Sequence, residues 1–367
     1  MKIVFDSKIF FSQKFGGSSR YYSNLFESLN YINLDTFIVS PFYINNYLER
    51  SEYKKNIYGL NVPKIKFTGS ILSKINSSLS NFFIKKIKPD IIHTTDYFEN
   101  YTDNFNPLVV TIHDLIHEIF HFEYAKGKDY RPKERILKLA DQIICVSKNT
   151  KKDLLKYYKV DEKKVRVIYH GCNFSYDTQI LNIDNNVDIN FKYFLYVGSR
   201  KRYKNFFLLI EDFKKNKQIY NEFKIICFGG GELLKSEKKI LKEKNIDFNK
   251  IIFFPSDNDE LLFKLYKNAY ALIYPSMYEG FGMPILEAMA LGCPVISSNS
   301  SSLPEVYGDA ALSFSPLLQN DLSNKLDKIV SDQKLREKLI NLGYLQTSKF
   351  SWKNCAKETL SLYKRII

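Results

Sequence analysis

Residues 276–294, SMYEGFGMPILEAMALGCP, set two glutamates, Glu279 and Glu287, eight positions apart around two glycines and a proline. An unbroken helix would separate positions eight apart by roughly 12 Å along its axis, too far to grip one group. Gly280 and Gly282 permit backbone angles closed to other residues, and Pro284 suits a first helical turn, so the spacing predicts a helix starting near Met283. Glu279 then falls on a loop and Glu287 in the opening turns of the helix. Amides around Phe281, Gly282 and Met283 would point outward at the positive end of the helix dipole, a ready anion site between two carboxylates. That arrangement suits a nucleotide sugar, with pyrophosphate on the helix end and sugar hydroxyls donating to the two carboxylates. The same pattern also fits a plainer case in which Glu287 complements the dipole and Glu279 is solvated.

Other residues could take part. The stretch 196–206, YVGSRKRYKNF, carries Arg200, Lys201, Arg202 and Lys204 after a strand-like run. Cations held there would stabilise the charge that builds on a departing diphosphate, and the sequence leaves open which of the four point inward. Gly16 and Gly17 lie between the first strand and a helix, where a bare backbone can approach a ligand or simply turn. His113 ends the apolar run LVVTI, where an imidazole can donate a hydrogen bond or sit structurally on a backbone carbonyl. Residues 117–121, HEIFH, spell H-E-x-x-H, but no third ligand follows to complete a zinc site. Asp257 and Asp259 in SDNDE form a D-x-D; Asp257 and Glu260 have the spacing of a capping box, so a helix start is expected there and no metal.

These residues need loops held on a rigid frame. Short β-branched or aromatic runs at 2–5, 36–40, 90–95, 107–114, 142–147 and 165–171 alternate with helical patterns, as parallel strands with crossover helices do. A second series follows at 193–199, 223–231, 250–255, 270–276 and 293–298. The polar stretch 174–190 between them reads as a linker. The expectation is an α/β protein of two doubly wound, Rossmann-like domains, 1–172 and 173–349, with a final helix from about 350 to 367 joining the first. Ligands of such sheets bind at the carboxyl ends of the strands, so a central cleft lined by strand-to-helix loops would hold the chemistry.

Composition fits this frame. At 367 residues with 45% apolar and 26% charged side chains, the chain can bury two ordinary cores. Five scattered cysteines without CxxC spacing suggest neither a disulfide framework nor a zinc site and point to a reducing cytoplasm. The start MKIVFDSKIF reads as a first strand and not a signal peptide, and no apolar run approaches the ~18 residues of a membrane span. The net charge of +14 implies an anionic partner, or solvated lysines from a biased composition. No nucleic-acid motif accompanies the charge.

The motif E-x7-E formed by Glu279 and Glu287 resembles the hallmark of the retaining glycosyltransferases of family 4, which have the GT-B fold. The resemblance continues through NSSSLPEVYGDAALSFSP (299–316), YVGSRKRYKNF (196–206), FGGSSRYYSNL (15–25) and VVTIHDL (109–115), in family order over nearly the whole chain. It implies transfer of a hexose from a nucleotide sugar without a metal or other cofactor. It further implies Glu279 on the donor sugar, Glu287 on the ribose, Arg200 and Lys204 on the pyrophosphate, and His113 near the reacting sugar. Glu279, His113, Arg200 and Lys204 are the implied catalytic set. Gly16, Gly17, Gly280, Phe281, Gly282 and Met283 are implied to line the donor. The segments GGSSRYY and RYKNF look like mannosyltransferases of lipopolysaccharide clusters, which suggests a GDP-mannose type donor and a lipid-linked saccharide acceptor such as O-antigen. A sugar-nucleotide epimerase, a zinc hydrolase and a non-catalytic nucleotide-sugar or nucleic-acid binder are the alternatives.

Between residues 54 and 88 there are lysines and no acidic residue, and Ile71, Leu72, Ile75, Leu79, Phe82 and Phe83 recur at near-helical spacing. A basic amphipathic helix is expected, peripherally bound to the anionic inner face of the cytoplasmic membrane, or else packed on the sheet with its lysines in water.

Overall fold

The computed structural model describes residues 1–63, 69–97, 107–120, 131–172, 189–255 and 258–367. The linker reading at 174–190 falls almost wholly outside them. The chain forms two units, one of Met1–Gly171 with Ser351–Ile367 and the other of Cys172–Phe350.

In the first unit the strands are β1 (Lys2–Phe5), β2 (Asp35–Tyr43), β3 (Ile57–Asn61), β4 (Ile91–Thr94), β5 (Leu108–Ile112), β6 (Gln142–Cys145) and β7 (Val165–Val167). They form one sheet in the order β3-β2-β1-β4-β5-β6-β7, parallel throughout. Its central strands are buried on both faces, and so read as unbroken apolar runs. Ile3 and Phe5 enter one core with Ile91 and Val109, while Val4 joins Ile92, Val110 and Ile112 on the opposite face. The final helix, Trp352–Tyr363, adds Trp352, Cys355, Ala356, Leu362 and Tyr363 to the first of these cores.

The second unit holds β8 (Lys192–Val197), β9 (Phe223–Phe228), β10 (Ile251–Phe254), β11 (Ala271–Tyr274), β12 (Val295–Ser298) and β13 (Ala311–Phe314). Their order is β10-β9-β8-β11-β12-β13, again parallel. Two strands escape the sequence reading, β3 and β13. Both lie at a sheet edge and are partly exposed, so neither presents an apolar run. Among the described residues no helix is long and apolar enough to cross a membrane.

Candidate active site

In the second sheet β8 neighbours both β9 and β11, so the strand order reverses between β8 and β11. Ligands of open α/β sheets bind at such a switch point, beyond the strands' carboxyl ends. The loops that leave β8 and β11 carry Arg200, Lys204 and Glu279, and they are tied together by the Met277 amide donating to the Tyr203 carbonyl at 2.7 Å. Lys204 Nζ lies 2.6 Å from Glu279 Oε1 and 3.3 Å from the Tyr274 hydroxyl. Glu279 is only 7% exposed, so the solvated carboxylate allowed by the sequence pattern is not what forms. Burial, and then the nearby Glu279, push the Tyr274 hydroxyl well above its ordinary range, so it stays protonated as a donor.

The turn carrying Glu279 is held from below by the segment 299–303. The Glu279 amide donates to Ser301 Oγ at 2.8 Å, and Ser302 Oγ lies 2.9 Å from the carbonyl oxygens of both Glu279 and Phe281. Gly280 and Phe281 are buried. Gly282 has φ +114°, and a Cβ there would meet Leu303 Cδ2 at 2.9 Å, so both conformation and space require glycine. The helix Met283–Ala290 starts where the spacing predicts, with Pro284 in its first turn and no side chain capping it. Pro284 has no N–H and the Ile285 amide donates to the Gly282 carbonyl at 3.0 Å, which leaves the Met283 amide at the helix start for an anion. Glu287 is 5% exposed and accepts from the Tyr266 hydroxyl at 2.9 Å, on the side of the helix Asp259–Asn268.

Arg200 differs from the expectation of a cation open to phosphate. It is buried, with Nε 3.1 Å from Glu237 Oε1, and Nη2 2.8 Å from the carbonyl of Glu232 and 3.2 Å from that of Gly230. Its guanidinium binds the glycine turn 229–231, whose three residues all have positive φ, and a Cβ at Gly230 would strike Nη1 at 2.9 Å. In this structure Arg200 organises that loop, and Lys204 is the cation of the pair that meets Glu279.

In the first unit, Gly16 precedes the helix Gly17–Tyr31, whose Ser19 amide is capped by Gln13 Oε1 at 3.2 Å. A Cβ on Gly16 would lie 2.2 Å from that oxygen, whereas one on Gly17 would meet nothing within 4 Å, so the space beside Gly17 is open. The same helix packs Tyr21 and Tyr22 edge-on against His113, at 5.0 and 5.5 Å. His113 Nε2 is buried without a hydrogen-bond partner among the described residues. Desolvation lowers its pKa to about 4, so the ring is neutral at pH 7. Beneath it His93 bridges the Tyr363 hydroxyl and Thr111 Oγ1, each at 2.7 Å.

The H-E-x-x-H match does not assemble as a peptidase motif requires. Glu118 pairs with Lys133 at 2.7 Å and accepts from the Tyr158 hydroxyl at 2.6 Å, while His117 sits in a four-residue helix, Ile116–Ile119, and His121 lies outside the described residues. At the D-x-D, Asp257 also lies outside them. The helix there is capped by Asn258, which accepts from the Leu261 amide at 2.9 Å, in place of the expected Asp257. Sequence reasoning about single residues missed Tyr274, Tyr266, Glu237, Ser301 and Ser302. Only the two serines carried a signal, as part of the SSLPEV block.

Two family models match the chain in succession, Glycosyltransferase Family 4 over residues 15–176 and Glycosyl transferases group 1 over 179–346. The chain belongs to the family 4 glycosyltransferases. An uncharacterized glycosyltransferase of Methanocaldococcus jannaschii is 31% identical over 237 residues, covering 61% of this chain and 60% of its own length. The matched region thus spans about three fifths of that relative. The O-antigen chain mannosyltransferase B of Escherichia coli is 29% identical over 272 residues, 70% of each chain. A crystal structure of a glycosyltransferase from Rickettsia africae superposes with a TM-score of 0.70 at 21% identity, covering 100% of this chain and 98% of that one. The fold is GT-B.

Proposed function

We propose that this family 4 member transfers a hexose, with retention of anomeric configuration, from a GDP-mannose type donor to a growing lipid-linked saccharide. The observation that carries the reading is the ion pair of half-buried Lys204 with buried Glu279 at the sheet's switch point, next to the start of the helix Met283–Ala290, which no side chain caps. A diphosphate there would draw Lys204 away from Glu279 and take the Met283 amide, freeing Glu279 to accept hydroxyls of the sugar. The bond from the anomeric carbon to the phosphate oxygen then breaks while the acceptor oxygen attacks the same face, and the acceptor proton passes to the departing phosphate. Lys204 and the helix end offset the charge that develops there, so the reading needs no metal. Glu287 is assigned to the ribose. His113, neutral at pH 7, is suited to hydrogen bonding and not to donating a proton. The E. coli mannosyltransferase supports the choice of sugar and of surface saccharide. The free cysteines are consistent with a cytoplasmic site of action.

The test is release of nucleoside diphosphate from GDP-mannose in the presence of a saccharide acceptor, in excess EDTA, with proton NMR of the first-formed product. Acceptor-dependent release and a retained anomer are expected. An inverted product, or turnover of the donor without acceptor as an epimerase would show, overturns the assignment.

A further inference from the structure

The helix Gly17–Tyr31 borders a cleft of about 450 Å³ that lies wholly in the first unit and shares no residue with the transfer site. Clefts that hold small ligands run to roughly 300–1,000 Å³, so the space is of the right order. Ser23, Glu27 and Tyr31 recur every four positions and so form one stripe of the helix along it. Arg50, Glu52 and Tyr53 line it from the chain between β2 and β3, and Lys353 from the first turn of the final helix.

Two observations set this cleft apart from an ordinary seam of packed surface. Ser23 is only 6% exposed, and its Oγ has no hydrogen-bond partner among the described residues. A buried hydroxyl left in that state costs free energy until something binds it. The cleft also gathers Arg50 and Lys353 with Glu27 and Glu52, yet among the described residues no ion pair joins these cations to these carboxylates. Glu27 is held instead by Ser51, whose Oγ donates to Glu27 Oε1 and accepts from the Tyr53 amide at 3.1 Å. That bridge fixes both the carboxylate and the segment facing it. Burial raises the Glu27 carboxyl above its ordinary range, and the nearby Glu52 adds to the rise, as befits a group drawn partly out of water.

Two cations against two carboxylates select neither an anion nor a cation by charge. They offer charged donors beside charged acceptors, together with the rings of Tyr31, Tyr47 and Tyr53, and Tyr31 is 71% exposed. The hydroxyls of a pyranose both donate and accept, so they answer both kinds of group at once, and its C–H face packs on a phenol ring. A nucleotide would bring phosphate against Glu27 and Glu52. We propose that this cleft is a second saccharide site, which holds a few residues of a neutral oligosaccharide away from the place of transfer. Its use, keeping hold of the growing product between additions, rests on the transfer reading above; its binding chemistry does not.

The full chain is titrated by calorimetry with α-linked mannotriose, maltotriose and chitotriose at millimolar concentration, and amide hydrogen exchange is followed with each sugar. Protection is expected over residues 23–31 and 50–53. Tyr31→Ala should raise the Kd about tenfold by removing the exposed ring. Glu52→Gln and Lys353→Ala, both at exposed positions, should raise it several-fold, and all three variants should keep the thermal melt and the affinity for GDP. With GDP-mannose, Tyr31→Ala should yield shorter products at an unchanged rate of transfer to a monosaccharide acceptor; unchanged lengths overturn the holding role. Sugar binding that ignores the three changes, protection confined to other segments, or no binding of any of the three sugars overturns the site itself. Failure of the transfer reading looks different: GDP is not released with acceptor, while sugar binding still depends on Tyr31.

Discussion

Lys204 pairs with Glu279 at 2.6 Å, so on the proposed reading donor binding is an exchange of partners and not the filling of a vacancy. Removing Lys204 leaves Glu279 charged and buried, which typically costs about 3–5 kcal/mol. Lys204→Met should therefore lower stability by roughly that amount in chemical denaturation, and Glu279→Gln in the same background should restore most of it. Glu279→Gln alone should keep donor affinity by calorimetry but slow transfer by roughly 100-fold or more, about 2.7 kcal/mol at the transition state. Arg200 marks where residue-level reading stopped. Its place in the motif indicated a cation but not its direction, because Glu237 and the carbonyls of 229–232 reach it only through folding. Arg200→Ala should weaken the nucleoside and its diphosphate alike through loss of the glycine turn, whereas Lys204→Met should weaken the diphosphate selectively.

The turn 279–282 is an element built by its neighbours. Ser302→Ala would strip the carbonyls of Glu279 and Phe281 of a donor, and leaving such groups buried and unsatisfied costs about 1–3 kcal/mol. Thermal denaturation should show that loss, and transfer should fall with it, since the displaced carbonyl belongs to Glu279. Elements were legible where the chemistry is local. The start of the helix at Met283 followed from two glycines and a proline, and the central parallel strands from apolar runs that need burial on both faces. The edge strands were not, because β3 pairs on one side only and its exposed Tyr58 and Leu60 imitate a loop. Nor could periodicity tell which stripe of the helix Gly69–Ile87 meets the sheet, since that depends on Asn76 and Ser80 finding backbone partners on β2.

At the scale of the whole molecule, burial holds His93 at a pKa of about 3, and His113 and His170 are lowered too. A histidine lowered by folding contributes stability that is complete above its unfolded pKa of ~6.5 and is lost as pH falls below it, by about 1.4 kcal/mol per pH unit for each group. Asp96, raised to about 6 by burial, acts in the opposite sense, so a single group must be read by difference. Wild type should lose stability relative to His93→Gln by about that slope between pH 6 and 4, as measured by denaturant titration at each pH. His93 also binds Tyr363, on the stretch Ser351–Ile367 that returns to the first unit after the second is complete. Chains are made from the amino end, and domains ordinarily close in that order. Here the leading unit must wait on the ribosome for Trp352 and Tyr363, the last parts of its core to be synthesised, while Cys172–Phe350 emerges whole before them. A stop codon after Phe350 should leave that later segment resistant to protease and the earlier one cleavable: this protein is born in one order and finishes folding in the other.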